Sequence, residues 1–152
     1  MNKVHFQVLK RFYHPGLPPF KQPHFHPNSS KVAINDNLGQ HTYGDIFKHS
    51  DKVANALSRI PKANSKNIAF LTGNNHQYSV SQFGIWKSGH SCVPLCKTHP
   101  PDTLKYYIQD SEASTLIVTK EFVDKVNSEF VYISMYFGKN FPGFFLGSNF
   151  DK

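Results

Sequence analysis

From Val32 to Val126 short apolar runs alternate with stretches of helical period, and this rhythm constrains the fold more than any other feature of the sequence. Asn67-Ile68-Ala69-Phe70-Leu71, Cys92-Val93-Pro94-Leu95 and Leu116-Ile117-Val118 are runs without polar alternation, the pattern of strands buried on both faces. Helical stretches lie between them, which predicts an α/β fold with a mostly parallel sheet and crossover helices. Ahead of these, Val32-Ala33-Ile34 reads as a short strand, Asn35 to Gly39 as a turn, and Gln40 to Thr42 as a return strand.

The helices carry their own punctuation. Thr42 is placed to cap a helix, with Asp45 three residues on as the capping-box acid. Ile46, Val53, Leu57 and Ile60, widened by Phe47 and Ala54, make its apolar stripe, and Pro61 stops it. A second helix runs from about His76 to Ser88, with Tyr78, Phe83, Ile85 and Trp86 as its bulky core positions and Gly89 closing it. Pro100-Pro101-Asp102 opens a third, in which Leu104, Tyr107 and Ile108 face inward. Lys120 to Val126 makes a last helical turn or two.

The ends differ in character. Residues 1–30 contain no acidic residue, and Val4, Val8 and Phe12 share a helical face opposite Lys3, Gln7, Lys10 and His14. A basic amphipathic start of this kind is the signature of a mitochondrial transit peptide, and Pro15, Pro18, Pro19, Pro23 and Pro27 then read as a linker. An N-terminus without regular structure, on a cytoplasmic protein, is the alternative. Residues 128–152 are aromatic-rich and divergent: no clean period of 3.6 or 2 survives past Ile133, and no fold element is assigned there.

Charge and cysteine content narrow the classes. The net charge is +7, yet the lysines spread from Lys3 to Lys152 and Lys10-Arg11 is the only adjacent basic pair. Nucleic-acid surfaces cluster their basic residues, so a basic solvated surface is the better reading and no nucleic acid is expected. No apolar run approaches the roughly 18 residues of a membrane span. Two cysteines, Cys92 and Cys96, are too few for a disulfide framework and point to a reducing compartment. His90, Cys92, Cys96 and His99 have donors suited to Zn²⁺, but Cys92 and Cys96 flank a strand whose side chains point apart, so a structural role is preferred. His24-Phe25-His26 is read as a chance pair within the linker.

Three ordered segments carry a family resemblance. Thr42-Tyr43-Gly44-Asp45-Ile46 resembles the T-Y-x-E-L segment of acyl-adenylate-forming enzymes, the AMP-dependent synthetases and ligases. Trp86-Lys87-Ser88-Gly89-His90-Ser91-Cys92-Val93-Pro94-Leu95 resembles their K-x-G-x-x-x-V-P-L segment. The run from His99-Pro100 through Tyr106-Tyr107 to Asp110-Ser111-Glu112-Ala113 is similar to their H-P-x-x-x-L-x-Y-x-x-x-D-S-x-A helix. The His-Pro pair and the Val-Pro-Leu context look closest to the malonyl-CoA synthetase branch. The resemblance spans residues 31–127 and implies a partial N-terminal domain of such an enzyme.

That family joins a carboxylate to AMP and passes the acyl group to coenzyme A, using ATP, Mg²⁺ and CoA. The resemblance implies malonate or a related acid as substrate and a place in fatty-acid metabolism. The family's phosphates are held by a Gly/Ser/Thr-rich loop with a lysine, its magnesium by a downstream acid, and a further lysine comes from a mobile C-terminal domain. Thr72-Gly73-Asn74-Asn75 has one glycine and no lysine, and Phe137-Gly138-Lys139-Asn140 lacks the upstream glycine of a Walker loop. The matched motifs therefore do structural work: no catalytic, cofactor-binding or metal residue is assigned. The expectation is a truncated synthetase, inactive alone, without a certain partner but prone to self-association or chaperone binding. The alternative is a non-catalytic module that binds a partner through an exposed sheet face.

Overall fold

The computed structural model describes residues 30–60, 66–126, 132–138 and 141–147. The proposed transit peptide and linker, with His24 and His26, lie outside them. β1 (Val32–Asp36) and β2 (Gly39–Thr42) form a separate antiparallel hairpin. At its turn the Leu38 N–H donates to Asp36 Oδ1 (2.8 Å), an Asx-type turn, and Gly39 takes φ +124°, a value that favours glycine.

α1 (Tyr43–Leu57) starts as the sequence indicates. Thr42 accepts from the Asp45 N–H (3.1 Å) and gives its own N–H to Asp45 Oδ2 (3.0 Å), a complete capping box. Its buried positions are Ile46, Ser50, Val53 and Leu57. The helix ends at Leu57 rather than running on to Pro61, because the Arg59 and Ile60 N–H groups turn back onto Ala56 and Leu57. Ile60 still packs against the core from that turn.

β3 (Asn67–Leu71), β4 (Ser91–Pro94) and β5 (Thr115–Thr119) are parallel, with β3 between the other two. Alternate side chains of the central strands serve two cores. Ile68, Phe70 and Ile117 meet α1 and α2 (His76–Lys87) on one face. Ala69, Leu71, Leu116 and Val118 meet α3 (Pro101–Asp110) and the 3-10 helix Lys120–Lys125 on the other. Burial on both faces is the physical reason these strands lack polar alternation.

Two inward assignments are corrected. Trp86 is 38% exposed, since the face of α2 toward the core is made by Gln77, Val80, Ser81, Gly84 and Ile85, one turn apart. Small residues there allow close packing: a Cβ on Gly84 would fall inside the van der Waals radius of Val53 on α1. Phe83 and Tyr78 lie at the flank, packed against the core edge. Tyr107 is 40% exposed, because Leu104 and Ile108 already fill the inner face of α3. It lies instead against the rings of His99 and Tyr106.

The aromatic stretch also holds elements that periodicity did not reveal. β6 (Tyr132–Gly138) pairs parallel to β5, and β7 (Phe141–Gly147) returns antiparallel to β6, completing the order β4-β3-β5-β6-β7. The sequences Tyr132–Gly138 and Phe141–Gly147 mix aromatics with glycine and proline without a period of 2, which is why period alone could not find the hairpin.

Candidate functional site

The chain leaves β3 for β4 on one side and then crosses to β5 on the other, so the sheet reverses its order between β3 and β5. Ligands of open α/β sheets sit beyond the carboxyl ends of the strands at such a point. Here it is bordered by Thr72-Gly73-Asn74-Asn75 after β3 and by Thr119 at the end of β5 with Lys120 and Glu121 after it. Gly73 lies so close to Asn75 and Glu121 that a Cβ would come within 3.0 Å of Asn75 Nδ2 and 3.1 Å of Glu121 Oε1. Thr119 is 1% exposed, and its hydroxyl has no hydrogen-bond partner among the described residues.

Asn75 ends this loop by capping α2, its side-chain oxygen accepting the Gln77 N–H at 3.0 Å. The first turn of α2 then meets the hairpin. Asp36 Oδ2 accepts the His76 N–H (2.8 Å) and lies 3.0 Å from His76 Nδ1, while Asp36 Oδ1 lies 3.2 Å from His41 Nε2. The two imidazoles stack with centroids 3.5 Å apart. Burial alone would raise the Asp36 carboxyl, but the His76 N–H and ring, the Leu38 N–H and the His41 ring outweigh it and hold the group well below the usual carboxylate range. Burial pulls the His76 ring below the usual histidine value, against the opposing effect of Asp36. Beside the cluster opens a cleft of about 380 Å³ whose walls include Asp36, Asn74, Asn75 and Tyr78. No sequence motif flagged this cluster: Asp36 and His76 are forty positions apart, and only the Asp36–His41 proximity across a turn was visible.

The zinc-type set His90, Cys92, Cys96 and His99 is not brought together. His90 Nδ1 pairs with Ser88 Oγ (2.9 Å), Cys92 is half-buried on β4, and the His99 ring lies tilted against Tyr107. Cys96 is exposed and lies 3.0 Å from Thr98 Oγ1, a contact that lowers its thiol below the usual value.

The lysine of the second matched segment has a structural place. Lys87 Nζ donates to Phe47 O (3.1 Å), Ser50 Oγ (2.7 Å) and Asp51 Oδ1 (2.8 Å), tying the end of α2 to α1. Gly89, at φ +82°, then turns the chain into β4. In the third segment Pro101 occupies the first turn of α3, where its missing N–H costs nothing.

Helices on both faces of a mostly parallel sheet, whose strand order reverses between β3 and β5, define a doubly wound α/β domain. The pattern of the AMP-binding enzyme family matches residues 21–134, and the chain belongs to that family. The mitochondrial malonate–CoA ligase ACSF3 of Xenopus laevis is 39% identical over 105 residues, covering 66% of this chain and 18% of that protein. Its Homo sapiens counterpart is 29% identical over 99 residues, covering 62% and 17%. Among solved structures, a benzoate CoA ligase from Burkholderia xenovorans LB400 superposes with a TM-score of 0.63 at 21% identity, over 70% of this chain and 23% of that one. Apo MatB from Rhodopseudomonas palustris gives 0.61 at 18% identity, over 72% and 23%. The fold is thus that of acyl-adenylate-forming ligases, and the sequence stands close to the malonyl-CoA synthetases. The chain spans less than a fifth of the length of these curated relatives. The family match ends at Ser134, within β6. Among the described residues no helix is long and apolar enough to cross a membrane.

Proposed function

We propose that this chain supplies the scaffold of a mitochondrial acyl-CoA synthetase that activates malonate, and that as a 152-residue polypeptide it does not turn over substrate by itself. The family reaction is ATP-dependent formation of an acyl-adenylate followed by transfer to CoA. The observation that carries the reading is the 39% identity to a malonate–CoA ligase over 105 residues. Its mitochondrial naming and the acid-free residues 1–30 support the location.

The chemistry supports the second half. Adenylation brings an anionic carboxylate onto a polyanion, so it needs cations and backbone donors fixed around the phosphates. The segment after β3, Thr72-Gly73-Asn74-Asn75, contributes a helix cap instead, and Lys87 is committed to α1. Positioning and charge stabilisation together are worth on the order of 10 kcal/mol of barrier. A pyrophosphate-release assay with ATP, Mg²⁺, malonate and CoA is expected to give no turnover above blank. Turnover that requires both ATP and malonate would refute it.

A second reading, a partner-binding module, is favoured by one observation: Tyr106 and Tyr107 are 58% and 40% exposed and join His99 in one aromatic patch. β3 and β5 are covered on both faces, while β4, with Ser91 and Pro94 exposed, leaves a sheet edge beside which such a partner could sit. Size-exclusion chromatography tests it: a monodisperse monomer that stays so on Tyr106→Ser argues against self-association through this patch.

A further inference from the structure

Asp36, His41 and His76 come from the end of β1, from β2 and from the first residue of α2, and nothing in the adenylation chemistry calls for them. Their donor atoms lie within 4.8 Å of one another. Among the described residues this is the group of His, Cys, Asp and Glu side chains that converges in this way. The side chains of Asp36, His41 and His76 are 8%, 16% and 6% exposed, so water solvates their charge poorly.

We propose that these three residues form a structural site for a divalent transition-metal ion of the Zn²⁺ class, clamping the β1–β2 hairpin to the start of α2. The donor set argues for that class. Two imidazole nitrogens and one carboxylate suit Zn²⁺ or Co²⁺, whereas Mg²⁺ and Ca²⁺ take oxygen donors, so the site is separate from the magnesium of the family reaction. Spacing agrees. Bonds of about 2.0–2.1 Å in a tetrahedron set neighbouring donors about 3.3 Å apart; here His76 Nδ1 lies 3.0 Å from Asp36 Oδ2, His41 Nε2 lies 3.2 Å from Asp36 Oδ1, and one donor from each residue falls within 4.8 Å of the others. Both facing ring nitrogens already aim at the carboxylate. An ion seated there takes the place of the protons in these two contacts, each imidazole carrying its proton on its other nitrogen, and the stack, with centroids 3.5 Å apart, must open so that both ring planes pass through the ion. The carboxylate is held from behind by the Leu38 and His76 N–H groups, the outer-shell support that metal ligands need. The adjoining cleft, which Asp36 lines, gives an ion its way in.

The test is titration of the whole 152-residue chain with Co²⁺, read by visible ligand-field absorption and by displacement with Zn²⁺. One saturable site per chain is expected. Asp36→Asn and His41→Ala each weaken it by at least about tenfold. A His24→Ala/His26→Ala double variant and a His99→Ala variant bind as the parent does. Zn²⁺ raises the Tm of the parent and not that of His41→Ala, because an ion held by the folded form alone stabilises it. Circular dichroism checks that each variant is folded. Should Asp36→Asn not fold, His41→Ala, which alters the most exposed of the three ligands, decides alone. Absence of a saturable site, or binding kept in His41→Ala and lost in the His24→Ala/His26→Ala variant, overturns the proposal and leaves Asp36 as a hydrogen-bonded latch without an ion.

Discussion

Lys87 is a charged group held largely inside the fold: its side chain is 11% exposed, while that of its ionic partner Asp51 is 64% exposed. The two ends of this pair are therefore worth different amounts. Lys87→Met removes three hydrogen bonds from a desolvated ammonium and its approach to the Phe47 ring at 4.7 Å, and should cost about 2 kcal/mol. Asp51→Asn touches a screened surface pair and should cost under about 1 kcal/mol. Urea denaturation of both variants checks the ordering. Asp45 gives a pH prediction. The Thr42 hydroxyl, donating at 2.7 Å, and then the Thr42 N–H lower its carboxyl below the usual value against the opposing effect of burial. Because the folded value is the lower one, its stabilisation is full above the unfolded carboxylate value of about 3.9 and is lost as pH falls through the folded value. Denaturation midpoints measured downward from about pH 6 should fall in that acid range, and Asp45→Asn should remove that part of the slope. The Thr42–Asp45 pair was legible in the sequence because both partners are local. The Lys87 anchor and the Asp36–His41–His76 cluster were not, since their partners lie up to forty positions away and meet only after the sheet has formed.

At the scale of elements, the caps and the close packing of α1 on α2 decide stability. Thr42→Ala removes the capping box and should cost about 1 kcal/mol. Gly84→Ala sets two effects against each other. Alanine favours a helix interior by about 1 kcal/mol, but the new methyl must enter the space of the Val53 side chain and approach Ser50 O at 3.1 Å. Overpacking of this kind costs about 1–3 kcal/mol, so the variant should be less stable; a lowered thermal midpoint is the expected result, and a raised one would show that α1 can move aside. Element types from β1 to the 3-10 helix could be read from period and punctuation. What period could not rank was the inward face of α2, where Val80, Ser81 and Gly84 outrank Trp86 because small side chains permit the closer approach. β6 and β7 escaped because their sequences mix aromatics with glycine and proline and carry no apolar–polar alternation.

For the whole molecule, the described sheet has two cores, one on each face, and its reversal point lies between β3 and β5. That architecture and the family were legible before the structure, since buried strands alternating with capped helices admit few folds and three ordered motifs narrowed them further. The candidate site was less so, because it is made by strand ends and a hairpin rather than by a motif. As proposed above, the chain carries the framework of a malonate-activating synthetase rather than its reacting groups. The most direct measurement is complementation: the remainder of the Xenopus laevis ligase, lacking the matched 18%, is assayed for malonyl-CoA formation with and without this chain. Activity restored only in the mixture, and diminished when Gly84→Ala is used, is the expected result. Acyl-CoA formation by this chain alone, or a mixture no more active than the remainder by itself, would contradict it.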